Sequence, residues 1–147
     1  MTDHVRKQIR AAAVTALTGL TTTGTRVYDS RVYPMQDAQL PGLRIDTADE
    51  QISISSMGVG RLCERTLDLM VQACVKENDT YSDTIDTIIK EVEIAISANQ
   101  GIGGAKYVQL KSINVANAGE GEKPVAVATM GFEVFYITAL GAPDVAL

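Results

Sequence analysis

Residues 25–46, TRVYDSRVYPMQDAQLPGLRID, combine two short extended runs with turn residues, directly after an amphipathic helix. Val27–Tyr28 and Val32–Tyr33 are pairs of β-branched and aromatic residues on either side of Asp29–Ser30, and this pattern predicts strand, turn and strand. Pro34 ends the regular pairing because it has no N–H to donate to a strand ladder.

The chain re-enters the predicted sheet after Leu40–Pro41–Gly42, which indicates an edge or a turn. Apolar residues then occupy odd positions in 43–47 and even positions in 52–55. The side chains of a strand have a period of two, so this change of phase requires a bulge or a loop. The predicted place is Asp49–Glu50.

Arg61–Lys76 is the longest extended pattern in the chain. One face of this predicted strand is apolar and the other is polar, which is typical of an antiparallel sheet with one covered face. The run exceeds the usual length of a strand, so we expect it to bend, to contain a bulge or to project beyond the core. The apolar face comprises Cys63, Leu67, Leu69, Val71, Ala73 and Val75, and the polar face comprises Glu64, Thr66, Asp68 and Gln72.

Two amphipathic helices are predicted, the first capped by Thr2 or Asp3 and the second capped by Asn78–Asp79. The helical periodicity of the first outweighs a signal-peptide interpretation of the basic residues that precede AAAVTALTGL. The second continues to about Asn99 and is stopped by Asn99–Gln100–Gly101. The apolar stripes are Val5, Ile9, Ala13, Leu17 and Leu20 in the first helix, and Tyr81, Ile85, Ile88, Ile89, Val92 and Ile96 in the second.

Tyr107–Val115 and Val125–Ala139 are two further β patterns, joined by the polar segment NAGEGEKP, and they predict a long terminal hairpin. The predicted fold class is α+β, with a mostly antiparallel sheet and two helices packed on one face, in the order α-β-β-β-β-α-β-β. A chain of 147 residues without repeats or low-complexity linkers suits a single domain over 1–147.

Composition argues against several classes of function. The net charge is −5, whereas a nucleic-acid-binding protein needs a basic surface to neutralise phosphates. No uncharged stretch approaches the roughly 20 apolar residues of a membrane span, so we expect no membrane partner. Cys63 and Cys74 lie near opposite ends of the long strand, too far apart for a bridge, and two reduced cysteines suit a reducing cytoplasm.

Residues that could support catalysis are few. His4 is the sole histidine and is expected to be a solvated residue on a frayed first turn, so a Ser-His-Asp triad or a histidine metal site lacks its components. Asp79, Asp83 and Asp86 fall in the first turns of the second helix, where carboxylates complement the helix dipole and no loop supplies further metal ligands.

Two other motifs have structural explanations. Gly101–Gly104 follows a helix and opens a strand, the reverse of a phosphate-binding loop, so it indicates a helix stop. Glu91 and Glu93 do not face each other on a helix and therefore do not form an acid/base pair. We predict no catalytic, cofactor-binding or metal-binding site, no cofactor and no enzymatic activity.

The order of these motifs resembles the tail-terminator proteins of tailed bacteriophages, also called tail-completion proteins, which include U-like minor tail proteins. The resemblance covers most of the chain. It includes the N-terminal helix, the VYDSRVYP and LPGLRI segments, the long strand, the helix that ends at ISANQG, and the final hairpin ending in EVFYITA.

This resemblance implies a structural virion protein that forms a six-fold ring on the tail tube, terminates tube polymerisation and provides the head-joining surface. Its implied partners are the tail tube protein, a head–tail connector or neck protein, and DNA that passes without sequence-specific binding. The implied location is the virion tail, after assembly in the host cytoplasm. The alternatives are a head–tail connector, a tail tube protein or, in a different class, a small-molecule-binding α+β domain or an enzyme.

A ring protein needs loops that contact neighbours and a lumen that does not retain DNA, and an acidic lining provides the second property by repulsion. We name the Ser55–Gly60 connection and the hairpin tip Ala118–Pro124 the assembly loops; for the tip, a flexible loop without a partner is the alternative. The polar face of the long strand, with Glu64 and Asp68, is the predicted channel lining. The predicted interface residues are Ser56, Met57, Gly58, Arg61, Glu120, Glu122 and Lys123.

Overall fold

A computed structural model describes residues 3–29, 39–55, 60–76, 80–118 and 125–147. In chain order the elements are α1 (Val5–Leu17), β1 (Val27–Asp29), β2 (Gly42–Ile54), β3 (Leu62–Lys76), α2 (Tyr81–Ser97), a 3-10 turn at Ile102–Gly104, β4 (Tyr107–Ala118) and β5 (Val125–Ala139). The predicted α+β class, with a mostly antiparallel sheet and two helices on one face, is confirmed. The further predicted strand at Val32–Tyr33 and the stop at Pro34 lie outside the described residues.

The five strands form one sheet in the order β1-β2-β3-β5-β4. The pairs β2–β3, β3–β5 and β5–β4 are antiparallel, and short β1 is parallel to β2, with Val27 opposite Leu43. Strand β3 is paired with β5 along its whole length without a register shift, so it contains no bulge on that side. Its length is matched by β5, which also has 15 residues.

The predicted bulge is in β2. The register between β2 and β3 shifts between Thr47, which faces Leu69, and Glu50, which faces Leu67. Leu67 and Leu69 are both fully buried, so Thr47 and Glu50 lie on the same, helix-bearing face of the sheet although they are three positions apart. The bulge therefore turns Glu50 towards the helices, whereas an uninterrupted strand would turn it away.

The core between the sheet and the helices contains the predicted stripes. Every predicted α1 position from Val5 to Leu17 is fully buried, and Leu20 packs against the core from beyond the helix end. The α2 stripe is buried from Ile85 to Ile96, with Tyr81 partly buried at its start. Helix α2 ends at Ser97, two residues before the predicted end, and its predicted cap at Asn78–Asp79 lies outside the described residues.

The predicted cap of α1 was wrong. The N-cap residue is His4, whose ring Nδ1 accepts a hydrogen bond from the backbone N–H of Arg6 at 3.1 Å. Asp3 lies one position too early to cap and instead pairs with Lys7 Nζ at 3.1 Å. His4 is half-buried and its ring takes part in this bond, whereas the sequence indicated a solvated residue on a frayed turn.

The 3-10 turn after α2 packs closely against α1. Gly103 has φ +59, and a Cβ atom built on it would lie 2.7 Å from Cγ1 and 2.8 Å from Cα of Ile9. Glycine is therefore required for two reasons, the left-handed backbone and the lack of space. The predicted assignment of Gly101–Gly104 as a segment between a helix and a strand is confirmed.

Both cysteines are free and buried. Cys63 lies on the helix-bearing face of β3, whereas Cys74 has the opposite phase. Burial raises the pKa of the Cys74 thiol above its ordinary value, against a smaller opposing effect of the Arg44 charge. The thiol of Cys74 is therefore held in its protonated form, which is the unreactive one.

Candidate assembly site

Ser56, Met57 and Gly58 in the first assembly loop, and Glu120, Glu122 and Lys123 in the second, lie outside the described residues. Arg61 is exposed, next to Gly60 with φ +83, and its backbone carbonyl accepts a hydrogen bond from Leu140 N at 2.9 Å. This bond ties the end of the first assembly loop to the end of β5.

The predicted channel-lining residues, Glu64 and Asp68, lie on the face of the sheet that is turned away from the helices, and both are half-buried. Asp68 accepts a hydrogen bond from Lys111 Nζ on β4 at 3.5 Å, and this exposed pair neutralises part of its charge. Glu64 faces Ser53 on β2 and Ile137 on β5. The structure brings the two carboxylates to one face of one strand, as predicted.

A buried polar cluster on the helix-bearing face was not predicted. Arg65 on β3 donates from Nε to Thr138 Oγ1 at 3.0 Å and from Nη1 to Glu50 Oε2 at 3.3 Å. The hydroxyl of Tyr136 donates to the other carboxylate oxygen of Glu50, and the Arg65 guanidinium lies 5.9 Å from the centre of the Tyr136 ring. The side chains of Arg65 and Glu50 are 10% and 5% exposed. The cluster therefore joins β2, β3 and β5 through a buried ion pair.

The chemistry of this cluster is that of a structural connection. Both oxygens of Glu50 are occupied, one by a guanidinium and one by a phenol, so the carboxylate is not available as a general base. Burial, and then the hydrogen bond to Glu50, raise the pKa of the Tyr136 hydroxyl, which keeps the phenol protonated. A protonated phenol is the donor that the carboxylate needs.

The sequence carried two signals for this cluster. Arg65 has the same odd phase as the apolar residues of β3, and Glu50 has the same even phase as Ile52 and Ile54 after the bulge. A charged residue in the phase of the core needs a partner of opposite charge when it is buried. Two such residues on neighbouring strands could have been paired once the neighbours were known.

The sheet also exposes strand edges. Among the described residues, β1 pairs with only Leu43–Ile45 of β2, so no described strand pairs with the outer edge of β2 from Asp46 onwards. At the opposite side of the sheet β4 is the last strand in the described order. Free edges present unpaired N–H and C=O groups, which are able to pair with another strand.

Two hollows lie beside the helices. The first, of about 400 Å³, separates the second half of α2 from β4 and is lined mainly by apolar side chains, with Glu93 as its ionisable group. The second, of about 650 Å³, lies between α1 and the segment after α2, and its described lining contains no ionisable side chain. Neither contains the converging polar groups that orient a small ligand.

The remaining candidate residues are dispersed. Asp83 and Asp86 are exposed on α2, and Asp79 lies outside the described residues. Glu91 accepts a hydrogen bond from Thr22 N at 3.1 Å, while Glu93 lines the first hollow, so the two glutamates serve different contacts. Within the described ranges, no three His, Cys, Asp or Glu residues are grouped so that they could hold a metal ion. No described helix combines the length and the apolar character needed to cross a membrane.

The fold defines the class of this protein as an α+β domain with one five-stranded sheet covered by two helices. No protein-family model matches the chain, and no curated protein matches it. Among solved structures, the chain is similar to one described as "Virion of native gene transfer agent (GTA) particle", with 18% sequence identity and a TM-score of 0.48. The similarity covers 90% of this chain and 92% of the other.

Proposed function

We propose that this protein is a tail terminator of a tailed phage or phage-like particle. In this role it forms a ring on the end of the tail tube, stops the growth of the tube and provides the surface that joins the head. The observation that supports the proposal is the order of the elements. This order matches the one on which the resemblance to tail terminators rests. It runs from the first helix through the VYD strand, the strand that begins at Gly42 of LPG, the 15-residue strand and the second helix to the terminal hairpin.

The proposed role is structural and involves no catalysis. His4 is engaged in capping a helix, and Glu50 is engaged with Arg65 and Tyr136. The partners in this proposal are further copies of the chain, the tail tube protein, and a head–tail connector or neck protein. The protein would reside in the virion tail after assembly in the host cytoplasm.

The outward face of β3 is the proposed lining of the lumen. Glu64 and Asp68 are half-buried on this face, and the chain carries a net charge of −5, so DNA would be repelled rather than bound. Replacing both residues by lysine should leave the fold intact and make the ring retain DNA. Fully infectious particles assembled with the double variant would contradict this lining.

The decisive experiment removes the protein from assembling particles and measures tail length by electron microscopy. Overlong or headless tails are expected in its absence, and addition of the purified protein should restore normal length and head joining. Sedimentation of the pure protein distinguishes the alternative of a tail tube protein, which would polymerise without limit. Normal tails in the absence of the protein would refute the proposed role.

A further inference from the structure

Two strand segments extend past the helices with both of their faces exposed, Gln51–Ile54 of β2 and Lys111–Asn117 of β4. Each alternates between apolar and polar side chains. The apolar members are about half exposed, at 54% for Ile52, 51% for Ile54, 44% for Ile113 and 50% for Val115. Such alternation is typical of a strand with one covered face, so these segments have the pattern of a buried surface that the described residues leave uncovered.

The apolar side chains of both segments project from the same face of the sheet. Ile52 lies opposite Arg65 on β3, and Ile113 lies opposite Met130 on β5. Arg65 and Met130 are both buried towards the helices. If the sheet continued from β4 into the β2 strand of another copy, the four apolar side chains would therefore lie on one face.

The backbone groups agree with such a continuation. Ser55 N donates to Leu62 O, so alternation along β2 directs the N–H and C=O groups of Ser53 to β3 and those of Ile52 and Ile54 outwards. Leu140 N donates to Arg61 O, so alternation along β5 directs the N–H and C=O groups of its even residues to β3 and those of its odd residues to β4.

Gly131 is such an odd residue of β5 and is paired with Ser112 on β4. The backbone groups of Ser112 and Asn114 therefore point to β5, and those of Ile113 and Val115 point outwards. On both edges, which no described strand covers, the residues with outward-pointing backbone groups are the same ones that carry the exposed apolar side chains.

Charge favours pairing between unlike edges. Residues 46–54 contain three acidic and no basic residues, and residues 106–118 contain two basic and no acidic residues. Because Glu50 is paired with Arg65 and Lys111 is paired with Asp68 inside the subunit, the difference in edge charge rests on Asp46 and Asp49 against Lys106. Two β2 edges would bring acidic segments together, and two β4 edges would bring basic segments together. Pairing of β2 with β4 avoids both repulsions.

Strand direction permits this pairing to repeat. Strand β2 is antiparallel to β3, β3 to β5 and β5 to β4, so the two edge strands run in opposite directions. A second copy added edge to edge then forms an antiparallel pair and keeps its helices on the same side of the sheet. A head-to-tail contact of this kind generates a closed ring when its rotation closes.

We propose that the outer edge of β4 pairs with the distal part of β2 in a second copy of this chain, with Ile54 opposite Ile113, Ser53 opposite Asn114 and Ile52 opposite Val115. In this register the outward N–H and C=O groups of the four apolar residues bond to each other across the interface. The inference deepens the proposed function, on which it rests for the ring, because it names the contact between ring subunits.

Disulfide trapping tests this register. Ser53 and Asn114 would form a non-hydrogen-bonded pair with Cα atoms roughly 4.5 Å apart, within the range of a disulfide. Under oxidation at high protein concentration, the double variant Ser53→Cys/Asn114→Cys should form covalent oligomers on non-reducing gels. Each single variant should run as a monomer on these gels, because the contact joins unlike edges, which leaves the introduced cysteine without a partner thiol, and the native cysteines are buried. A single variant that dimerises as efficiently as the double variant would overturn the proposal.

A second double variant, Ser53→Cys/Gln109→Cys, is the control for register and should cross-link much less than Ser53→Cys/Asn114→Cys. Equal yields would overturn the stated register. Light scattering provides an independent comparison of Val115→Lys with Val145→Lys, since both positions are 50% exposed and Val145 lies outside the proposed contact. The first substitution should abolish oligomers and the second should preserve them, and equal effects would refute the edge pairing.

The same variants separate this inference from the proposed function. If the trapped oligomers form but do not limit tail length, the edge pairing stands and the tail-terminator role fails. If the protein limits tail length but β2 and β4 never cross-link, the tail-terminator role stands and the edge pairing fails.

Discussion

Replacement of Gly103 by alanine tests the contact that joins α1 to the turn after α2. The new Cβ atom would meet Ile9 at 2.7 Å from Cγ1 and at 2.8 Å from both Cα and N. Two of these three atoms belong to the backbone of a helix, so a side-chain rotation of Ile9 cannot relieve the overlap. Either α1 or the 3-10 turn must move away from the other.

The expected cost has two parts. Holding an L-residue in the left-handed conformation at φ +59 costs roughly 1–2 kcal/mol. Forcing an extra methyl group into a packed site costs roughly 1–3 kcal/mol more. The sum, about 2–5 kcal/mol, is a large part of the 5–15 kcal/mol by which a typical domain is stable. For a chain of this size it corresponds to a fall in Tm of roughly 5–15 °C.

Gly24 is the matched control, because its φ is +56 and the nearest atom to an added Cβ atom is Arg26 Nη1 at 4.0 Å. Gly24→Ala should therefore show the conformational cost without the overlap. Both variants are compared with the parent by urea and thermal unfolding followed by circular dichroism. Equal losses of stability in the two variants would refute the claim that close packing against Ile9 requires a glycine at position 103.

Three further predictions concern the buried polar groups and the assembly loops. Arg65→Met should lower the free energy of unfolding, measured by urea titration, by about 3–5 kcal/mol, because it leaves the Glu50 carboxylate buried without its cation. Lys111→Met removes an exposed pair and should cost about 0–1 kcal/mol in the same titration. Stability should be retained below the ordinary pKa values of 9.0 for Cys74 and 10.0 for Tyr136 and should fall as the pH rises above them. The reason is that the raised pKa values of both groups favour their protonated forms in the folded state. Urea midpoints measured across this pH range should fall less steeply in Cys74→Ala than in the parent. Shortening either assembly loop should leave Tm nearly unchanged, because loop-closure entropy depends weakly on length, yet should produce overlong or headless tails; normal tails with both deletions would contradict a role for the loops in assembly.

Local patterns in the sequence were sufficient to predict much of the fold. The stripes of α1 and α2, the alternation along β3 and the terminal hairpin were all predicted correctly, because burial of one face imposes a period on the residues of a single element. The bulge between Thr47 and Glu50 was predicted for the same reason, as a change of phase within one strand. The cap of α1 was not, because histidine is outside the residue types preferred at the N-cap and the capping geometry depends on where the helix begins.

The sequence by itself determined which residues are apolar, in which phase they recur and where the chain turns. Only the tertiary structure decided that Glu50 meets Arg65 and Tyr136, that Gly103 lies against Ile9, and that no described strand pairs with the outer edges of distal β2 and of β4. The physical reason is that each of these features depends on which elements become neighbours. Strand order and helix packing arise from contacts between residues far apart in the chain, and the period of a single segment contains no information about its neighbour.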